Sequence, residues 1–274
     1  MAIRPTTKPL AVRDLIVWSA SNDSWFVSAC DVNAGFGDLP DDVNPREPEV
    51  VGYSAAKVPL MEVLAARAEP IIIVNTLGIA RDEYGLRVLD GIRQALREVG
   101  STALLTGSDE TNSRTRQTSV GVTVIGAGKG PVPLGSSRAG DLVVCIGIPK
   151  DGISVPYSEG DADIASLHDV VELLASPAQE LLPVGSHGVE YEIAELARTA
   201  QVSYNLETSS SIDLRASAGA STCMIATVSA PRLDALGSFT GLPVAIVAEL
   251  VEASAADLIG KVSTEVVVGS DLAR

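Results

Sequence analysis

Four acidic residues stand where a chain of this kind could do chemistry. Asp23 lies in the polar stretch 19–24, between two short apolar runs. Asp31 follows directly on the run 25–30. Glu62 sits in a small-residue segment, flanked by Leu60, Met61, Val63, Leu64, Ala65 and Ala66. Asp109 follows the apolar stretch 104–106, in Thr106-Gly107-Ser108-Asp109-Glu110-Thr111-Asn112. Carboxylates at strand ends point into the crevice where α/β proteins place ligands. Several converging carboxylates suit Mg²⁺, which takes oxygen ligands and bridges to phosphate oxygens. The plain alternative is that each is an ordinary turn Asp or a solvated helix Glu. A charge as tightly flanked as Glu62 rides a narrow solvent stripe or points at a partner. Lys57, five residues earlier, adds a positive charge beside it or faces solvent.

Other chemistries have no support. The only histidines are His168 and His187, and neither G-x-S-x-G nor H-E-x-x-H occurs. Gly126-Ala127-Gly128-Lys129-Gly130 lacks the spacer of a phosphate loop, and Pro131 and Pro133 bar a following helix. It reads as a linker leaving a strand. Cys30, Cys145 and Cys223 are far apart, which excludes a disulfide framework and zinc spacing. All three read as buried thiols in a reducing compartment. The net charge of −15 argues against nucleic acid held on a basic face. An acidic chain that handles phosphate needs metal ions or backbone N–H groups to hold it. With no apolar leader and no run of about twenty apolar residues, the expected location is cytoplasmic and no membrane partner is expected.

The elements that must position these residues are legible in outline. The 274 residues suit one large domain or two modest ones. Residues 15–18 and 25–30 read as strands around a turn at 19–24, and 32–49 as a loop. Residues 50–68 read as a helix that starts near or kinks at Pro59. Residues 71–77 read as a buried strand, and 81–99 as an amphipathic helix with Leu86, Leu89, Ile92, Leu96 and Val99 on its apolar face. Gly100 stands at its C-terminal cap. Residues 104–106 and 118–125 are strands. The Gly/Pro/Ser-rich stretch 127–140 makes a boundary between halves 1–138 and 139–274. In the second half, 141–148, 222–228, 244–250 and 262–268 read as strands, and 163–174 and 188–199 as helices. Both halves mix strands and helices, so the class is α/β or α+β.

These segments carry a family pattern. The chain resembles the superfamily of aminoimidazole ribonucleotide synthetase, thiamine-monophosphate kinase and selenophosphate synthetase, most closely the α-ribazole kinase branch of cobalamin lower-ligand salvage. The carrying segments are 49–70, with its Val58-Pro-Leu-Met-Glu62-Val-Leu-Ala-Ala66 core, 107–112, 117–126, 139–147, 183–192 and 217–224. The resemblance implies a two-domain aminoimidazole ribonucleotide synthetase-like fold, with the N-terminal sheet forming a β-barrel shared by a homodimer. It implies ATP as co-substrate and Mg²⁺ held by Asp23, Asp31, Glu62 and Asp109. Asp31 or Asp109 would be catalytic, orienting the acceptor hydroxyl. Asn22, Asp23, Lys57, Gly107, Ser108 and Glu110 would contact the nucleotide. The implied reaction is phosphorylation of a small nucleoside-like alcohol, with α-ribazole giving α-ribazole 5′-phosphate.

Departures qualify the substrate. Glu62 replaces an Asp. Where thiamine-monophosphate kinases carry D-V-S-D-G, this chain has Val184-Gly185-Ser186-His187-Gly188, which lacks both acids and leaves His187 at an implied substrate contact. That argues against thiamine phosphate. The alternatives are a non-catalytic nucleotide-binding homodimer, or another ATP-dependent enzyme of the fold, thiamine-phosphate kinase-like or ring-closing. Selenophosphate chemistry is disfavoured, because no cysteine precedes Cys30.

Overall fold

The computed structural model describes residues 8–21 and 23–254. The first half runs β1 (Leu10–Val12), β2 (Leu15–Ser21), β3 (Ser24–Ala34), β4 (Phe36–Gly37), β5 (Asn44–Pro45), α1 (Pro48–Ala65), β6 (Glu69–Leu77), α2 (Glu83–Glu98), β7 (Leu104–Asp109) and β8 (Ser119–Lys129). The second runs β9 (Asp141–Gly147), α3 (Leu167–Leu174), β10 (Leu181–Pro183), α4 (Val189–Ala200), β11 (Ser203–Leu206), β12 (Cys223–Ser229), α5 (Leu233–Gly237) and β13 (Val244–Val251). The class is mixed α+β. A six-stranded sheet has the order β1-β2-β3-β8-β6-β7, with only β6 and β7 parallel, and it is open, ending on β1 and β7. A five-stranded sheet has the order β10-β12-β9-β13-β11.

Strand alternation sets the faces of the first sheet. In β8, Val120, Val122 and Val124 are buried while Thr123 and Ile125 face the other side, as the two-residue period requires. The buried face packs on α1. Two glycines of β8 permit that packing: a Cβ on Gly126 would lie 2.4 Å from Val63, and one on Gly128 2.1 Å from the Trp25 ring. Helix α1 is apolar almost all round because it lies between the halves, touching β3 and β8 on one side, α2 beside it, and α3 and β10 on the other. The α1–α2 crossing is nearly backbone to backbone: a Cβ on Gly52 would meet the Val88 carbonyl at 1.9 Å, and one on Gly91 the Glu49 carbonyl at 2.0 Å. One core runs from the first sheet through α1 and α3 to the near face of the second, and a separate cluster fills the space under α4.

Several elements differ from the sequence expectations. Helix α1 starts at Pro48, not near Pro59, which lies inside it. Strand β3 continues to Ala34, paired with β8 over its whole length, so Asp31 lies within it. Strands β2 and β3 reach Ser21 and Ser24, closing the stretch 19–24 into a tight hairpin. The expected loop 32–49 holds the end of β3 and the β4–β5 pair. Helix α3 begins at Leu167, where Ser166 and Asp169 cap it reciprocally. On α2, Asp82 caps the first turn and Gly100 follows with φ +62°, but Leu86 is exposed rather than in the core. Cys145 and Cys223 are buried, whereas Cys30 is exposed on the outward face of β3. The expected strand 262–268 lies outside the described residues. Among the described residues no helix is long and apolar enough to cross a membrane.

Candidate functional site

Strand β3 sends Trp25, Val27 and Ala29 into the core, and the same face continues as Asp31 and Asn33. Beyond the packed stretch these two polar residues meet α1. Asn33 donates to the Val51 carbonyl at 3.1 Å and to Ser54 Oγ at 2.8 Å. Glu62 stands on the same helix among apolar neighbours, and its Oε2 is buried without a hydrogen-bond partner. Burial, then the charges of Asp14, Asp31 and Glu192, push its carboxyl up to about 9. Burial also raises Asp31. Glu192, in the first turn of α4, is pushed up to about 7 by burial and by Asp14.

Asp14 is held by its neighbour. Arg13 occupies the β1–β2 turn with φ 56°. Its guanidinium donates to Glu180 Oε2 at 2.7 Å and to Thr199 Oγ1 at 3.2 Å. Glu180 also accepts from the backbone N–H groups of Gly135 and Ser137 and from Ser137 Oγ. Burial pushes the Glu180 carboxyl up, but Arg13 and Ser137 outweigh it and hold it below the usual carboxylate range. This hub fastens the hairpin tip to the second half and sets Asp14 near Glu62 and Glu192. The acidic group thus draws on the β1–β2 turn, β3, α1 and α4.

A cleft of about 760 Å³ separates the halves, with Asp31, Asn33 and Ser54 on one wall and Asp151, Tyr157 and Ser186 on the other. That is the size of a small-molecule site. Lys57 lies under it, fully buried, with Nζ 3.2 Å from Glu159 Oε2. Burial and the Glu159 charge raise Tyr157 to about 12.

The Asp31 charge acts on Glu62, but the two line different cavities, and the four expected carboxylates are not gathered in one place. Asp23 is exposed at the far end of β3. Eight residues of strand put it roughly 26 Å from Asp31. Asp109 ends the edge strand β7, at the same end of the sheet as Asp31 but three strands over, and accepts from the Thr111 hydroxyl. Gly107 and Ser108 pair with Asn75 and Thr76 of β6. Glu110 accepts from the N–H groups of Asn112 and Ser113, closing a turn. Asn22 lies outside the described residues. His187 is exposed, with its ring 4.8 Å from that of Tyr191. Among the described residues no three His, Cys, Asp or Glu side chains gather tightly enough to hold a metal ion alone. Sequence reasoning missed Asp14, Glu192, Glu159 and the Arg13–Glu180 pair. Glu192 left a trace, falling on the buried stripe of Val189, Ile193 and Leu196.

Residues 12–127 match the family model of AIR synthase related protein, N-terminal domain. The chain is similar to thiamine monophosphate kinase from Aquifex aeolicus, at a TM-score of 0.60 and 16% identity, over 84% of this chain and 85% of that one. The fold is the AIR synthase-like one. The thiamine-monophosphate kinase of Stenotrophomonas maltophilia K279a gives a TM-score of 0.61 at 16% identity, over 86% and 85%. The AIR synthase-like fold recurs in part of a longer protein, phosphoribosylformylglycinamidine synthase II of Thermotoga maritima, with a TM-score of 0.58 at 16% identity, over 91% of this chain and 43% of that one. Relatives of this fold have been solved with ligands, AaThiL with AMPPCP and TMP and T. maritima PurL with ATP. No curated protein sequence matches the chain.

Proposed function

We propose that the chain is a Mg²⁺- and ATP-dependent cytoplasmic kinase that phosphorylates an alcohol group of a small nucleoside-like molecule, with α-ribazole as acceptor and α-ribazole 5′-phosphate as product. The observation that carries this reading is Asp31 on the wall of a cleft large enough for a small molecule, with the charge of Glu62 and its orphaned buried oxygen behind it on α1. The donors are all oxygen, as Mg²⁺ prefers. They form a partial set, which suits an ion commonly bound by one or two carboxylates together with substrate phosphates. Asp31 and Glu62 would hold it, and when bound it neutralises phosphate charge. The chain's own residues supply alignment. Asp31 faces the cleft and can accept a hydrogen bond from the acceptor hydroxyl.

The remaining expected contacts belong to a homodimer reading. The outward face of the first sheet carries Ile16 at 49% exposure and Leu104 at 75%, beside Trp18 and Phe26, whose rings lie 5.5 Å apart. A second copy packed on this face, completing a barrel, would bring Asn22 and Asp23 and the Gly107, Ser108, Asp109 and Glu110 stretch of the two chains toward the nucleotide.

Isothermal titration with Mg-ATP and a coupled ADP-release assay over α-ribazole, thiamine phosphate and other nucleosides test the proposal. Binding that is absent, or unchanged in both Asp31→Asn and Glu62→Gln, sinks it. The second reading, a nucleotide-binding homodimer without catalysis, is favoured by the acid-free turn at Ser186-His187. Glu192, one turn into α4, weighs against it by returning a carboxylate to that side. Turnover of any acceptor excludes it.

A further inference from the structure

Lys57 is a buried cation with too little to hold it. An ammonium has three donors. Among the described residues Lys57 makes one hydrogen bond, to Glu159, and at 3.2 Å it is long for a charge-assisted one. The same molecule makes short ones elsewhere: Lys150 to Asp163 and Arg13 to Glu180 are both 2.7 Å. Glu159 is a quarter exposed and lines the cleft, while the Lys57 side chain beneath it is fully buried. The carboxylate therefore covers the ammonium on its cleft side.

Glu159 is also on a movable kind of support. Residues 148–166, between β9 and α3, hold no helix or strand. Structureless segments of this length in compact domains are usually lids or binding loops. The root of the segment is fastened to its own half by Thr222 and by the Lys150–Asp163 pair. Its middle reaches the other half through two basic residues, Arg46 donating to the Gly152 carbonyl at 3.1 Å and Lys57.

We propose that Glu159 is a built-in stand-in for a phosphate: its carboxylate occupies, on Lys57, the place of a phosphate oxygen, and a phosphate-bearing ligand in the cleft displaces it. A buried ammonium is not stable bare, so an anion from the chain itself keeps Lys57 charged and in place until the ligand arrives. A terminal phosphate carries up to two charges where a carboxylate carries one, and its oxygens accept in the same way, so the exchange favours the ligand. The cleft then has two poles, the acid Asp31 on its wall for a cation and Lys57 beneath Glu159 for phosphate. Displaced, Glu159 frees the middle of the 148–166 segment. The inference rests on the nucleotide reading only for the source of the phosphate.

The test compares wild type, Glu159→Gln, Lys57→Met and the double variant by isothermal titration with Mg-ATP, Mg-pyrophosphate and adenosine. Removing the competing carboxylate is expected to tighten both phosphate probes about tenfold and to leave adenosine unchanged. Glu159→Gln leaves the buried Lys57 with an amide oxygen in place of the carboxylate and can lose stability. The double variant removes both charges, and is expected to stay folded and to bind the phosphate probes more weakly than wild type. Hydrogen exchange across 152–160 should quicken when pyrophosphate binds. Phosphate affinity unchanged or weakened in Glu159→Gln, or a double variant that still shows the gain, overturns the proposal. If pyrophosphate responds but Mg-ATP does not bind, the inference stands and the kinase reading falls. If Mg-ATP binds all variants alike, the kinase reading stands and the inference falls.

Discussion

In the cation-free protein Glu62 and Glu192 hold protons that the unfolded chain would release. Their carboxyls are raised from 4.5 to about 9 and about 7. Below the unfolded value both states are protonated and the two groups contribute nothing to the pH dependence. Above it the folded state binds more protons, so stability falls as pH rises, levelling off only past the folded values. Urea midpoints at pH 5, 7 and 9 should therefore decline for wild type. Glu62→Gln should flatten most of the decline, since each tenfold difference in proton affinity between the folded and unfolded chain corresponds to about 1.4 kcal/mol. A flat wild-type profile would show that Glu62 is solvated rather than buried. The tight apolar flanking of Glu62 left open a narrow solvent stripe or a charge aimed at a partner, and the structure buries its Oε2 with no hydrogen-bond partner. The partner of Lys57 was not, because Glu159 lies 102 residues away and no spacing rule links them.

Among the elements, α1 and α2 owe their close approach to glycine. Gly91→Ala places a methyl against the Glu49 carbonyl. It should cost about 1–3 kcal/mol in chemical denaturation by overpacking, although alanine is the better helix former by about 1 kcal/mol. A stabilised variant would show that the helices can separate freely. The long elements were legible because their periods are: β8 alternates valine with small residues, and α2 repeats its apolar stripe. Strands β1, β10 and β11, at three to four residues, are too short to show a period. The end of β3 was hidden because Asp31-Val32-Asn33-Ala34 reads as polar, yet the pairing with β8 carries it as strand. That hidden extension explains the partial site. Asp23 and Asp31 both look like strand-end acids, but they stand at opposite ends of a single strand.

For the whole molecule, the open sheet face and the central hub make separate predictions. If two copies share the face, Ile16→Glu, which places a charge beside Trp18 and Phe26, should halve the mass seen in gel filtration. A wild-type monomer removes the dimer reading. Glu180→Gln leaves the buried Arg13 uncompensated, and should cost about 3–5 kcal/mol. With α1 packed against both sheets, heat should unfold the two halves in one calorimetric transition. Two transitions would mean that the shared helix does not couple them. Where the strands of one sheet give way to those of the other could be read from the Gly/Pro/Ser-rich stretch between β8 and β9. Their tie could not, since Arg13, Glu180 and Thr199 meet only in three dimensions.

That tie has a consequence for how the chain is made. Arg13 leaves the ribosome before its partners, which follow 167 and 186 residues later. Until then the β1–β2 turn has no anchor, and Asp14 has no fixed place beside Glu62. The acidic site therefore cannot assemble as the first half emerges. It closes only after α4 has been synthesised. A ribosome-bound chain stalled before Thr199 should leave the first hairpin open to protease, and one stalled well past it should protect that hairpin.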